Sequence, residues 1–273
     1  MSETMTISRA SAVSGVAAAL ISRAFYGLMV EGPALDNGAW LSILVGLALA
    51  LPTLWLFRRG VGRSARLLLA AALFVDAMKA LEGAAFSESC IAFNHIPSAV
   101  LALPLLAAAA RCLVLGGDAV GASARIWMRL FIPALGLIVA LQWSYYRPLW
   151  LTPVLGHGPG GILRGGVRCW LWMVMLGGAG MALCREQVRF ERVVRTLAVA
   201  ALVTAMLILL RLMMAPACLS GDMGRALRLD ALLTNGRAPL LLQLPMIVIW
   251  FVGLTHLLCF EIWCAVALVR KRS

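Results

Sequence analysis

Long blocks without a charged residue dominate the pattern of hydrophobic and polar positions along the chain. Three of these blocks have 21, 22 and 23 residues, the length with which a helix crosses the hydrocarbon core of a bilayer: 37–57, 89–110 and 238–260. Three shorter blocks reach that length once a few flanking residues are added: 130–146, 169–184 and 196–210. The pattern therefore predicts six membrane-spanning helices from uncharged segments alone.

Two further segments have the length of a span but contain charges. Segment 10–30 carries Arg23. Segment 64–85 carries four charged residues, namely Arg66, Asp76, Lys79 and Glu82. With these two segments, the chain is predicted to be all-α, a polytopic membrane helical bundle of about eight transmembrane helices that forms one integral membrane domain over residues 1–273.

Composition excludes several classes of protein. Hydrophobic residues make up 62% of the chain and charged residues 13%, against about 25% charged residues in an average soluble domain. A soluble fold cannot bury so much apolar side chain and a disordered chain is polar, so a water-soluble enzyme and a disordered protein are both excluded. The net charge of +12 indicates basic cytoplasmic loops near anionic lipids. A nucleic-acid partner is not expected, because no basic stretch alternates with aromatic residues.

Arginine is concentrated in alternate loops. The loops after the second, fourth and sixth predicted helices and the C-terminal tail are rich in it, whereas the loops after the first and third helices are acidic. Under the positive-inside rule, eight helices then bring both termini to the cytoplasm. Two outer segments are exceptions: the one with Arg147, Arg164 and Arg168 near the sixth helix, and the loop 211–239, which carries charges of both signs.

Two outer segments differ from ordinary loops. Segment 148–163 has seven prolines and glycines in sixteen residues, which predicts a structured or partly re-entrant loop rather than a span. Segment 225–233 is amphipathic and predicts either a short helix lying on the outer face or a loop helix that caps the bundle. Cys90 and Cys218 fall on the same outer side, and sequence alone leaves their pairing open because it supplies no geometry.

Signatures of catalysis and metal binding are absent from the sequence. The seven cysteines form no C-x-x-C and no cluster with zinc spacing. The chain also lacks an H-E-x-x-H motif, a G-x-S-x-G elbow and a P-loop. We therefore expect no enzyme, no metal site and no cofactor.

Charged residues inside spans are costly, so their presence is informative. Asp76, Lys79 and Glu82 recur every three residues, which predicts one polar stripe along the third helix. The stripe is interpreted either as ion pairs that reach toward water at the helix end or as one wall of a cavity for a substrate or an ion.

The first predicted helix contains one arginine, Arg23. Arg23 is followed by Gly27, so the helix is predicted to unwind near this glycine and hold a charged ligand with its freed backbone groups. In the alternative interpretation, Arg23 neutralises a carboxylate of the bundle such as Asp76 or Glu31.

The sixth and eighth helices supply further candidates. Gly177 and Gly178 either permit close packing of helices or mark a discontinuous sixth helix. His256 is interpreted as a packing residue or as a proton relay. Glu261 is predicted to lie near the cytoplasmic end, where it caps the eighth helix or pairs with Arg270. Two tryptophans of the sixth helix are interpreted as anchors at the membrane interface: Trp170 and Trp172.

Two strings resemble motifs of the endospore germination permeases, the membrane B-subunits of germinant receptors in the amino acid–polyamine–organocation transporter superfamily. The first is GPALDNGAWL at 32–41, which has an acidic residue and a tryptophan entering the second helix, Asp36 and Trp40. The second is LTPVLGHGPGGILRGG at 151–166, before the sixth helix.

The resemblance implies a truncated inverted-repeat transporter fold, because the family is built of five plus five helices. Helices 1 and 6 would be discontinuous, and a small nutrient such as an amino acid would bind at their breaks against helices 3 and 8. The expected membrane is the cytoplasmic or inner spore membrane, and the expected partners are the nutrient, membrane lipids and other germinant-receptor subunits. The alternative is a structural or assembly membrane protein without a ligand. The candidate substrate-binding residues are Arg23, Gly27, Glu31, Asp76, Lys79, Gly177, Gly178 and His256.

Overall fold

The chain forms a bundle of long helices. The computed structural model describes residues 6–29, 38–58, 60–91, 97–141, 146–152, 154–156, 158–184, 190–214 and 240–271. The described ranges contain eight α-helices, as predicted: α1 (Arg9–Met29), α2 (Ala39–Phe57), α3 (Arg63–Ile91), α4 (Ser98–Leu115), α5 (Gly117–Leu141), α6 (Pro159–Leu183), α7 (Phe190–Met214) and α8 (Leu240–Arg270).

The helices belong to an integral membrane protein. Among the described residues, five helices contain a segment that is long and apolar enough to span a bilayer, namely α2, α5, α6, α7 and α8. Large apolar side chains face outward, and Leu68 and Val114 are 72% and 80% exposed. The charged side chains of Arg23, Asp76 and Glu261 are instead buried. This distribution suits a surface that contacts hydrocarbon and an interior that shelters polar groups.

Two predicted spans have different limits in the structure. The uncharged run 89–110 is shared by two helices, because α3 continues to Ile91 and α4 begins after Pro97, a residue suited to a helix start. The predicted loop between the fourth and fifth helices is helical, because α5 begins at Gly117 directly after α4. Gly116 makes this tight connection with a φ of 85°, a left-handed conformation that glycine adopts without steric cost.

Part of segment 148–163 is helical, although a loop is predicted over the whole segment. A 3-10 turn occupies Pro148–Leu151, and α6 already begins at Pro159, with the proline in the first turn. Proline is tolerated there because the first amide groups of a helix need no intrahelical partner. The predicted structured loop is therefore confined to the residues before Pro159.

The prediction of discontinuous helices 1 and 6 is wrong. Helix α1 is continuous through Gly27 to Met29, and α6 is continuous through Gly177 and Gly178. A Cβ at Gly178 would lie 2.9 Å from the Phe57 ring. The glycines of α6 therefore permit close packing against α2 and do not interrupt the helix.

The described beginning and end of the chain meet at one end of the bundle, which we call the basic end. The amide of Ile7 donates to the carbonyl of Leu183 at 3.1 Å, and Lys271 Nζ lies 2.5 Å from the carbonyl of Ala182. An even number of antiparallel spans requires this arrangement. Glu31, Cys218 and segment 225–233 lie outside the described residues, as does the side chain of Cys90, so the predictions made for them stay predictions.

Candidate functional site

A buried ion pair joins α1 to α3. Arg23 Nη2 lies 3.0 Å from Asp76 Oδ1, and the two side chains are 4% and 11% exposed. This confirms the interpretation that Arg23 neutralises Asp76. A guanidinium and a carboxylate offset each other's charge in an apolar interior, where either charge alone is strongly destabilising.

Two aromatic rings enclose the guanidinium of Arg23. Its central carbon lies 4.9 Å from the ring centre of Tyr26 and 4.5 Å from that of Trp172. Tyr26 donates its hydroxyl to the carbonyl of Lys79 at 3.2 Å, which fixes the ring on α3. The rings stabilise the cation through their electron-rich faces. Trp172 lies near the middle of α6, so its interpretation as an interface anchor is wrong.

Glu261 of α8 completes the site. It is fully buried, and neither oxygen of its carboxyl makes a hydrogen bond of ordinary geometry to a described residue. The charged groups that act on it are Asp76 and Arg23. The predicted pairing with Arg270 is wrong, because nine helical residues place the two about 13 Å apart along the axis. We call Arg23, Asp76 and Glu261, with the rings of Tyr26 and Trp172, the charge cluster.

Contacts at the basic end set the depth of the charge cluster. Arg66 Nη1 donates to the carbonyl of Lys271 at 2.9 Å, and Lys271 in turn contacts Ala182. Burial and the nearby charge of Arg66 lower the pKa of Lys271. Asp76, Trp172 and Glu261 each lie ten residues along their helix from one of these contacts, which is about 15 Å at 1.5 Å per residue. The three side chains therefore share one level of the bundle.

The predicted stripe on α3 is wrong. Asp76 is buried, whereas Lys79 and Glu82 are exposed. Three residues turn an α-helix by about 300°, so the side chain of Lys79 is rotated about 60° around the helix axis from that of Asp76. Glu82, three residues further on, is rotated about 120° from Asp76. Asp76 thus faces the bundle, and Lys79 and Glu82 lie on the outer surface.

His256 is buried in a separate polar contact. Its Nδ1 lies 3.3 Å from Ser123 Oγ on α5, and the backbone of Gly15 on α1 contacts the same imidazole ring. Five residues separate it from Glu261, so the two point to different faces of α8. His256 therefore joins α8 to α5 and α1, and lies apart from the charge cluster.

The remaining candidates do not contribute side chains to the charge cluster. Gly177 faces Leu54 and Leu197 in close packing. Gly27 lies in the last turn of α1, and Glu31 lies outside the described residues. Among the predicted residues that the structure describes, only Arg23 and Asp76 bring their side chains together in one site.

A small cavity adjoins the charge cluster. It lies between α1, α2, α6 and α7, and its lining includes Trp172, Leu20, Cys169 and Thr204. The cavity accommodates about one water molecule and is far smaller than an amino acid. A second cavity of similar size lies along α1 and α6, next to Gly177 and Gly180. Among the described residues, no group of three or more potential ligands is placed to hold a metal ion.

Comparison with known proteins gives no relative from which a role could be transferred. No protein-family model matches the chain, and no curated protein matches it. The charge cluster is therefore interpreted from its own chemistry.

Sequence reasoning missed three members of the cluster, Glu261, Tyr26 and Trp172. The signal for Glu261 was present, because it is the only Asp, Glu, Lys or Arg between Arg237 and Arg270. An isolated acidic residue within such an apolar run is costly unless the bundle shelters it. The two aromatic residues gave no comparable signal, since their contact with Arg23 depends on how α1 and α6 pack.

Proposed function

We propose that the protein is a permease-like membrane protein that binds a small nutrient such as an amino acid at the charge cluster. The observation that carries this proposal is the convergence of α1, α3, α6 and α8 on one set of side chains, in which the charged groups and Tyr26 are buried and Trp172 is partly buried. These are the four helices that the resemblance to germination permeases implies for the ligand site. The same resemblance supports transport, a location in the cytoplasmic or inner spore membrane, and other receptor subunits as parts of the proposal.

The chemistry of the charge cluster complements an amino acid. A guanidinium binds a carboxylate through paired, charge-assisted hydrogen bonds, so Arg23 would receive the carboxylate of the ligand. Asp76 and Glu261 would face its ammonium group, and the Trp172 ring offers apolar contact. Because Arg23 already pairs with Asp76 and the adjoining cavity is water-sized, binding requires the ligand to displace Asp76 and the helices to separate.

A structural role is the second candidate. The ion pair and its aromatic neighbours join α1, α3 and α6, and the near-complete burial of Arg23, Asp76 and Tyr26 suits a lock between helices. In this interpretation the polar residues bind no ligand and specify how the helices assemble.

Thermal stabilisation of the purified protein by a panel of amino acids separates the two candidates. A ligand that binds only the folded bundle raises its melting temperature in proportion to its concentration over Kd. We expect at least one amino acid to do so, and Arg23→Ala and Asp76→Asn to abolish the shift. Glu82→Gln is the matched control, since it removes an exposed acid of α3 that lies outside the charge cluster and should keep the shift. If no panel member stabilises the wild-type protein, the structural role is favoured.

A further inference from the structure

We propose that Glu261 is a proton-binding site, held as a neutral carboxyl beside the Arg23–Asp76 ion pair at neutral pH. This goes beyond nutrient binding and holds whether or not the cluster takes a ligand. The ligand of the site is a proton from water.

The geometry around Glu261 carries this inference. The side chain is fully buried, and both carboxyl oxygens lack a hydrogen bond of ordinary geometry to the described residues. An ionised carboxylate held in this way would have lost its water without gaining donors in return. Because α3 and α8 share a fixed register through Arg66 and Lys271, Glu261 and Asp76 lie at the same depth.

The charged groups that face Glu261 do not include a cation that is free to pair with it. Helix α1 presents Arg23, α3 presents Asp76, and α8 itself presents the Cys264 thiol. The other packed helices present no charge at this level among the described residues. Helix α4 directs Cys112 toward Cys259, α5 directs Ser123 toward His256, and α6 directs Trp172 toward Arg23.

One guanidinium cannot neutralise two buried carboxylates. If both acids were ionised, the cluster would hold a net negative charge in the interior, where an uncompensated ion costs several kcal/mol. Binding one proton removes that charge. Asp76 is the acid that accepts from Arg23 at 3.0 Å, so the proton falls to Glu261.

A metal ion is a poorer occupant than a proton. Hard cations require about six oxygen ligands, and the charge cluster offers the oxygens of two carboxyls, one of which already binds Arg23. The neighbours of Glu261 one turn away along α8 are apolar or sulfur-bearing, among them Leu257, Leu258 and Cys264.

The proton gives the cluster two arrangements of equal net charge. In the first, Glu261 carries the proton and Arg23 pairs with Asp76. In the second, the O–H bond of Glu261 breaks, an O–H bond forms on Asp76, and Arg23 pairs with Glu261. The exchange changes which helix α1 is tied to, α3 or α8, without leaving an unpaired charge.

Infrared spectroscopy of the purified protein in lipid nanodiscs tests the proposal. A protonated carboxyl absorbs as a carbonyl stretch that is separate from the bands of carboxylates. We expect wild-type protein at neutral pH to show this band, and glutamate labelled with ¹³C at its side-chain carboxyl to shift it. A missing band, or one that the label leaves in place, would overturn the proposal.

Variants assign the band to Glu261. Glu261→Gln should abolish it, and Asp76→Asn should do the same, because Arg23 then takes Glu261 as its anion. Glu82→Gln, an exposed acid on α3, is the control and should retain the band. Loss of the wild-type band on adding sodium chloride would identify a sodium site instead. Because glutamine matches the neutral carboxyl in shape, failure of Glu261→Gln to fold would also count against a bound proton.

Discussion

Replacing Asp76 and Glu261 together should destabilise the bundle far more than the two single substitutions add up to. In Asp76→Asn, Arg23 loses its observed partner but can still pair with Glu261 once that acid releases its proton. In Glu261→Gln, a neutral amide replaces a neutral carboxyl and the ion pair stays intact. Only the double variant leaves Arg23 buried without either carboxylate of the charge cluster.

The expected loss of stability follows from how many of the two carboxylates each variant leaves for Arg23. Each single substitution exchanges or perturbs hydrogen bonds, so each should lower the free energy of unfolding by about 1 kcal/mol. The double substitution removes both anions from a side chain that is 4% exposed, which costs about 3–5 kcal/mol. The coupling energy should therefore be about 1–3 kcal/mol, well above the roughly 0.5 kcal/mol seen for independent sites.

Unfolding by sodium dodecyl sulfate in mixed micelles, followed by circular dichroism, measures these differences. The matched control pairs Asp76→Asn with Glu82→Gln, whose side chain is exposed on the same helix. That control pair should be additive. If Asp76→Asn and Glu261→Gln are additive as well, Arg23 is not shared between the two carboxyls and the reasoning is refuted.

Three further predictions address other parts of the bundle. Trp172→Leu should lower the free energy of unfolding by about 2 kcal/mol, because it removes the ring that contacts the buried guanidinium of Arg23. The control Trp55→Leu removes an exposed ring that contacts Arg58 and should cost less than about 1 kcal/mol in the same assay. Gly46→Val should lower the free energy of unfolding by about 1–3 kcal/mol, because a Cβ at this position would lie 2.5 Å from the Cβ of Cys169. The control Gly136→Ala, whose Cβ meets open space in α5, should leave the stability unchanged or raise it. The opposite order would contradict the packing of α2 on α6. Green fluorescent protein should be fluorescent, and alkaline phosphatase inactive, when fused to either terminus, because the positive-inside rule predicts that the basic end faces the cytoplasm. Activity of the phosphatase at either terminus would contradict this orientation.

Single positions illustrate where sequence reasoning reached the site and where it stopped. Arg23 and Asp76 were identifiable because a charge inside a span is rare and needs a counter-charge, and they do pair. Lys79 was placed on the wrong face because a three-residue spacing drifts around a helix. Glu261 was assigned to a helix end, since an uncharged run was taken to end where the first charge occurs, whereas α8 continues to Arg270.

Hydropathy and loop charge alone were enough to predict a membrane bundle of eight helices. Hydropathy and loop charge act on each segment separately, so they can be judged without knowing its neighbours. The continuity of α1 and α6, and the meeting of Arg23, Asp76, Trp172 and Glu261 from four helices, became visible only in the folded bundle. Those contacts depend on the rotation and axial register of each helix, which are set by side chains far apart in sequence, such as Arg66 against the end of α8.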